Sequence, residues 1–179
     1  MLAQYHGFTD QEKEEIRVAG FLHDLGKLAI PNSILEKTKE LTKKEFNIIK
    51  QHPYLTYSIL NTIGGLNNIT EWAAFHHEKL DGSGYPFHIS ANRISLGSRI
   101  LTVADIFTAL TEDRPYRRSL NQKEIKEILK SKVKINNIDQ NIVDILLKNY
   151  EDIYLKVRRK QQESISIFEK KISKTRIDK

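Results

Sequence analysis

The sequence lacks cysteine, long apolar runs and any strand-like alternation of apolar and polar residues, and each absence narrows what the protein can be. Without cysteine, disulfides, thiolate zinc sites and cysteine nucleophiles are excluded, so a bound metal would need His, Asp or Glu. No apolar run reaches the roughly 18 residues of a membrane span, and no signal peptide is recognisable, so we expect a cytoplasmic location.

The positive charge is also scarce where a nucleic-acid surface would need it. The net charge is +6, but residues 151–179 carry nine Lys and Arg against five Asp and Glu, which accounts for +4. We therefore do not expect the main domain to bind nucleic acid, because phosphate binding needs a basic face on the folded unit. We predict a globular domain over residues 1–150 and a basic helical tail over 151–179, either partly solvated or acting as a dimerisation arm.

Helical periodicity runs through the whole chain, and no internal repeat interrupts it. Residues that favour helix starts occur at Thr9 with Glu12, Thr42 with Glu45, Asn121 with Glu124, and Asp139. A long helix is predicted over residues 96–113. The fold class is therefore predicted to be all-α, a bundle of about six to seven helices.

Two adjacent histidines end one of these predicted helices. His76 and His77 continue an apolar stripe of Ile69, Trp72 and Ala73 at helical spacing, so their imidazoles should point inward. A glycine-rich loop over residues 81–86 follows at once. The pattern is typical of a metal-holding helix end beside a shaped loop, although an ordinary helix end and turn would explain the pair alone equally well.

A second candidate pair is His23 with Asp24, which lie about 100° apart around a helix axis. Such a pair can bracket one metal ion or contact two neighbouring ions, although a hydrogen-bonded core couple is the alternative. We expect Gly26 to end this helix. Lys27 should then stand beside the carboxylate as a charge partner or proton donor.

Two further residues complete the candidate set. His52 shares a helix face with Phe46 and Ile49, and the following proline predicts that His52 lies at that helix's end. Asp105 flanks the apolar stripe of the 96–113 helix. A buried Asp105 would need a cation or a metal, whereas a solvated carboxylate would not.

Together these residues form a set of nitrogen and oxygen ligands: His23, Asp24, His52, His76, His77 and Asp105. Six ligands exceed what one catalytic metal needs, which predicts two metal ions that activate a water and hold a phosphoryl oxygen, with Asp24 as the bridging carboxylate. Arg114 and Arg117 form a basic turn that could contact phosphate oxygens.

These motifs resemble the HD-GYP domain, the branch of the HD superfamily whose members hydrolyse cyclic di-GMP. The resemblance covers about residues 7–145. It is carried by residues 23–27 with Ile30-Pro31, His52-Pro53, residues 76–78 with 81–86, and residues 103–105 with 113–117.

The resemblance implies a role for each matching position. The six candidate ligands correspond to metal ligands, with Asp24 bridging, and two divalent ions are implied, with Fe or Mn favoured and Ni, Co or Zn acceptable. Lys27 corresponds to a catalytic residue at the scissile phosphate. Tyr85, Arg114 and Arg117 correspond to substrate contacts. The implied products are linear pGpG or GMP.

Similar proteins carry a further histidine on a helix that would precede Met1, so we expect the domain to lack its first helix and a third metal. A homodimer or a GGDEF-type regulatory protein is a possible partner. Two alternatives to cyclic di-GMP hydrolysis stay open: a non-catalytic cyclic-dinucleotide-binding or protein-interaction module, and a phosphohydrolase acting on another cyclic dinucleotide or nucleotide.

Overall fold

The computed structural model describes residues 1–113 and 118–177, and this part of the chain is helical without any strand. Its α-helices are α1 Leu2–Tyr5, α2 Asp10–Leu22, α3 Asn32–Leu35, α4 Lys43–Ile49, α5 His52–Ile63, α6 Asn67–Ala74, α7 Leu96–Thr111, α8 Gln122–Lys134, α9 Gln140–Lys148 and α10 Tyr150–Ile177. Two 3-10 helices are Leu25–Ala29 and Ala91–Arg93. The all-α class is confirmed. Apart from the single-turn α1 and α3, seven described helices precede α10, in line with the predicted number.

The predicted helix starts are confirmed in atomic detail. The side chains of Thr9, Thr42 and Asn121 each accept a hydrogen bond from the backbone N–H three residues later, and the glutamate there bonds back in each case. Asp139 accepts from two backbone N–H groups at the start of α9. Because these bonds satisfy donors that the first helical turn leaves open, local sequence sets where the helices begin.

Helix α7 joins the two apolar clusters of the molecule. One of its faces packs Val103 and Phe107 into a cluster formed with α8, α9 and the start of α10. Its other face packs Leu101 against Trp72 of α6 in a second cluster, to which α2 and α5 contribute Ala19 and Leu60. Five of the six candidate metal ligands lie at the ends of helices that form this second cluster, and Asp105 lies within α7.

The start of α10 belongs to the packed part of the molecule. Tyr150 and Ile153 are buried in the first cluster, and Arg158 donates a hydrogen bond to the Thr111 carbonyl at 2.6 Å. The predicted division of the chain at residue 150 stays a prediction. Within the described ranges, no helix combines the length and the apolar composition that crossing a membrane requires.

Candidate metal centre

The six predicted ligands lie together at one end of the bundle and come from four separate segments of the chain. His23 follows α2 directly, His52 begins α5, and His76 and His77 follow the end of α6. Ligand atoms of His52, His76 and His77 lie within 4.8 Å of one another, as do those of His23, Asp24 and His76. Chain segments far apart in sequence therefore converge on one small volume.

Two local expectations were wrong. His52 does not end α4 but starts α5, because Pro53 is tolerated in the first turn of a helix, where its missing N–H costs nothing. Gly26 does not end α2, which stops at Leu22; it is buried inside the following 3-10 helix. A methyl group on Gly26 would overlap the backbone of His52, so the glycine is needed for close packing against α5.

Three of the histidines are oriented by the same backbone contact. The Nδ1 atoms of His23, His52 and His76 lie 2.8, 2.7 and 2.7 Å from the carbonyl oxygens of the residues three positions earlier, Gly20, Ile49 and Ala73. A carbonyl can only accept, so each Nδ1 carries the proton. In the neutral rings, Nε2 therefore presents a lone pair to the shared volume.

Burial favours the neutral form of three of the histidines, His52, His76 and His77. Burial lowers the pKa of His52, lowers the pKa of His76 well below its usual range, and lowers the pKa of His77 to about 3. The Nε2 atoms of His52 and His76 lie only 3.4 Å apart. Two lone pairs at this distance repel unless a cation lies between them, so this donor set fits a metal ion.

The Asp24 carboxylate lies between two of the rings. Its Oδ2 is 3.4 Å from His23 Nε2, and its Oδ1 is 3.3 Å from His52 Nε2. Oδ1 is buried, and no described residue donates a hydrogen bond to it, as expected for an oxygen placed to bind a cation. Burial acts to raise the pKa of Asp24, but His23 and a hydrogen bond from Lys27 outweigh it, so the pKa is lowered.

Lys27 and Asp105 flank this carboxylate on different elements. The Nζ atom of Lys27 donates to Asp24 Oδ2 at 2.7 Å, as predicted for a charge partner. Asp105, on α7, places Oδ1 at 3.8 Å from His23 Nε2. The site thus joins the three histidine-bearing helix ends to α7.

The glycine-rich loop brings Tyr85 to the edge of the cluster. The Tyr85 and His77 ring centroids are 4.9 Å apart, and the Tyr85 backbone N–H donates to the His77 carbonyl at 3.2 Å. Burial, with Asp105 and Asp24 nearby, raises the pKa of Tyr85 to about 12. Its hydroxyl is therefore protonated at neutral pH and able to donate a hydrogen bond.

Two residues of this region had no predicted role. The buried Glu78 carboxylate accepts hydrogen bonds from the backbone N–H groups of Phe87 and Ile89 at 2.6 and 3.2 Å, which holds the loop in place. Burial raises its pKa despite these bonds. An acidic residue directly after the histidine pair was a usable signal, since a carboxylate there needs donors.

Lys50 is the other residue without a predicted role. Its Nζ lies 5.3 Å from the Tyr85 ring centroid and 4.9 Å from that of Phe46. The four-residue spacing of Phe46 and Lys50 predicts their contact at the end of α4, whereas the contact with Tyr85 has no local signal. Arg114 and Arg117, predicted to contact substrate, lie outside the described residues.

Comparison with known proteins agrees with this geometry. A profile of the HD domain family matches residues 1–142. Similar proteins include 3'3'-cGAMP-specific phosphodiesterase 1 of Vibrio cholerae, 36% identical over 86% of this chain and 36% of its own length. The cyclic di-GMP phosphodiesterase response regulator RpfG of Xanthomonas campestris is 41% identical over 66% of this chain and 32% of its own.

The cyclic di-GMP phosphodiesterase of Thermotoga maritima is 34% identical over 92% of this chain and 45% of its own length. The chain thus spans less than half of the length of each of these curated relatives. The extent of the family match and the His-Asp cluster lead to the same conclusion: the chain belongs to the HD domain family, and its resemblance to the HD-GYP branch is confirmed.

Proposed function

We propose that this chain is a metal-dependent phosphodiesterase that hydrolyses cyclic di-GMP to linear pGpG or GMP. Members of the HD domain family are metal-dependent, and the chain carries a matching His-Asp cluster. One observation supports the proposal most. The Asp24 carboxylate lies between the His23 and His52 rings, and the Lys27 ammonium donates a hydrogen bond to it.

The proposed site holds two divalent ions. His52, His76 and His77 form one group of ligand atoms, and His23 and Asp24 with His76 form the other. Asp24 is assigned as the bridge because its two oxygens face different rings, and Asp105 completes the second group. Fe or Mn is favoured, and Ni, Co or Zn accept the same ligands. When bound, such ions supply Lewis acidity toward a phosphoryl oxygen and a more acidic water.

The other predicted residues would bind and orient the substrate. The Lys27 ammonium, 2.7 Å from Asp24, can neutralise the scissile phosphate and give a proton to the departing oxygen. The Tyr85 hydroxyl can donate to the substrate at the edge of the cluster. Arg114 and Arg117 are assigned as phosphate contacts on their sequence motif.

A second cyclic dinucleotide is a candidate substrate. The Vibrio cholerae relative, aligned over 86% of this chain, is named for 3'3'-cGAMP. That nucleotide shares the phosphodiester ring and one guanine with cyclic di-GMP, so the same ligands and cations would serve both. The predicted cytoplasmic location and the predicted homodimer or GGDEF-type partner stay predictions.

Metal content and turnover of the Asp24→Asn variant test the proposal. The variant keeps the shape of the side chain but removes the charge that would bridge two cations. We expect wild-type protein prepared anaerobically with Fe(II) or Mn(II) to hold about two ions per chain and to cleave cyclic di-GMP. Asp24→Asn should lose metal and at least about 100-fold in rate, since changes even beyond the ligands cost 10–100-fold in similar sites.

Asp10→Asn is the matched control, because Asp10 is fully exposed at the opposite end of α2. It should keep both metal and rate. Arg114→Ala should keep the metal and weaken substrate binding. If wild-type protein holds metal and binds cyclic di-GMP without cleaving it, the phosphodiesterase proposal fails and the chain is a binding module instead.

A further inference from the structure

A cavity of about 750 Å³ opens beside the candidate metal centre, between α3 and α4. We call it the α3–α4 cavity. Its lining includes Lys27, Leu35, Lys37, Leu41, Phe46 and Ile49. Its volume lies within the range of small-molecule sites, and apolar side chains form much of its wall.

Two residues connect the α3–α4 cavity to the metal centre. Lys27 lines the cavity and also donates to Asp24 at 2.7 Å. Ile49 lines the cavity and accepts the His52 Nδ1–H at 2.7 Å. A molecule whose phosphate lies at Asp24 and Lys27 therefore has the cavity immediately beside it.

One ring in the cavity wall, that of Phe46, is connected to the metal ligands through a cation and a second ring that do not line the cavity. Phe46 is 45% exposed, although burial would stabilise it, and it lines the cavity. Lys50 Nζ lies 4.9 Å from the Phe46 ring and 5.3 Å from the Tyr85 ring, whose other neighbour is His77. These contacts therefore lead from the metal ligands to the cavity.

A contact between the cavity rim and α4 fixes this wall. The Nζ of Lys37 donates to both carboxylate oxygens of Glu45 at 2.8 and 2.7 Å, and both side chains are about three-quarters buried. Glu45 directly precedes Phe46, and it also caps the start of α4. The ion pair and the cap therefore stabilise the helical turn that carries the Phe46 ring.

A flat aromatic ring beside a cation, next to a phosphate site, matches the chemistry of a nucleotide. Every nucleobase has π faces that can stack on an aromatic side chain, and a nearby cation strengthens such contacts. Cyclic dinucleotides hold each base one ribose away from a phosphodiester. The cavity lies directly beside the metal centre, so a base could occupy the cavity while its phosphodiester lies at the metal centre.

We propose that the α3–α4 cavity holds one nucleobase of a cyclic dinucleotide, with Phe46 as its stacking surface and Lys50 as the cation between the base and Tyr85. This inference rests on the proposed function and adds the residues that would recognise the base. Phe46 and Lys50 act on substrate affinity in this scheme and not on the metal ions.

The test compares Phe46→Ala with Phe46→Tyr on two substrates. One is cyclic di-GMP, and the other is bis(p-nitrophenyl) phosphate, a phosphodiester without a nucleobase. Phe46→Ala should raise KM and Kd for cyclic di-GMP about tenfold or more, because one stacking contact is lost. Turnover of bis(p-nitrophenyl) phosphate should fall much less, because that substrate has no base to stack on Phe46, and Phe46→Tyr should restore wild-type affinity for cyclic di-GMP.

Phe21→Ala is the matched control, since Phe21 is 74% exposed on α2 and does not line the cavity. It should bind cyclic di-GMP as the wild type does. An unchanged Kd in Phe46→Ala would overturn the inference, and so would an equal loss on both substrates, which would indicate a damaged metal centre.

Equilibrium binding of fluorescently labelled cyclic di-GMP separates this inference from the proposed function. If wild-type protein binds the nucleotide without cleaving it, the phosphodiesterase proposal fails, and the Kd of Phe46→Ala still decides the role of Phe46. If wild-type protein binds neither cyclic di-GMP nor 3'3'-cGAMP, the base site is refuted.

Discussion

At the scale of single residues, the candidate centre depends on which ring nitrogen carries the proton. His23, His52 and His76 each donate Nδ1–H to a carbonyl three residues earlier, so their Nε2 lone pairs face one another. Residue type and spacing predicted the histidines as ligands. The tautomers depend on carbonyl positions at helix ends, which exist only after folding.

The lowered pKa of His77 predicts how the metal-free protein responds to acid. The pKa of His77 is about 3 when folded and about 6.5 when unfolded. Between these values only the unfolded chain takes up the proton, so the free energy of unfolding falls as pH falls below about 6.5 and is unaffected above it. The expected loss is about 1.4 kcal/mol per pH unit for this histidine.

Urea unfolding from pH 7 to 5, after metal removal, measures this loss. His77→Gln lacks the titrating ring, so its unfolding free energy should depend on pH less steeply than that of the wild type, by about one proton. Glu78, whose pKa is raised by burial, acts with the opposite sign but is present in both proteins. Equal slopes would contradict the neutral state of His77.

At the scale of helices, the centre depends on how closely the 3-10 helix Leu25–Ala29 approaches α5. The Gly26 N–H donates to Thr56 Oγ1 at 2.9 Å, and Thr56 Oγ1 donates to the His23 carbonyl at 3.1 Å. These bonds hold the His23-Asp24 pair against the start of α5. His52 is thereby brought to the Asp24 carboxylate.

Gly26→Ala should push these two elements apart. The added methyl group would overlap the His52 carbonyl and lie 2.8 Å from the Thr56 nitrogen, and backbone atoms cannot move aside cheaply. We expect a loss of about 1–3 kcal/mol in the free energy of unfolding, with weaker Mn(II) binding by titration calorimetry.

Gly20→Ala makes the same change one helix earlier and serves as the control. Its methyl group would lie 3.8 Å from Leu101 Cδ1, an ordinary van der Waals contact. Alanine is preferred over glycine in a helix by about 0.5–1 kcal/mol, so this variant should be at least as stable as the wild type. A Gly26→Ala protein as stable as Gly20→Ala would refute the close-packing role.

The helices themselves show what local sequence can and cannot specify. The starts at Thr9, Thr42 and Asn121 were predictable because each cap bonds to a residue three positions away. The place of His52 was not, since a proline after it is compatible with a helix end or a helix start. Only the packing of α5 against the 3-10 helix distinguishes the two, and that packing is long-range.

At the scale of the whole molecule, the open question is where the packed domain ends. The start of α10 contributes Tyr150 and Ile153 to the first apolar cluster, although its composition is polar and basic. Two buried positions over one helical turn are too few to stand out in a sequence that mixes apolar and charged residues. The predicted tail over 151–179 therefore needs an energetic test.

Two substitutions in α10 supply that test. Ile153 is 2% exposed and Leu155 is 64% exposed. Ile153→Ala should lower the free energy of unfolding by about 2–5 kcal/mol through a cavity in the core. Leu155→Ala should change it by less than about 0.5 kcal/mol. Small effects from both, by urea unfolding, would support a domain that ends near residue 150.

The convergence of helix ends at the metal centre has an electrostatic consequence of its own. Both α2 and α6 run toward the centre and stop there, at Leu22 and Ala74. The carboxyl end of a helix carries a partial negative charge that stabilises a nearby cation by about 0.3–1 kcal/mol. The backbone alone therefore attracts cations to this end of the bundle, before any side chain binds one.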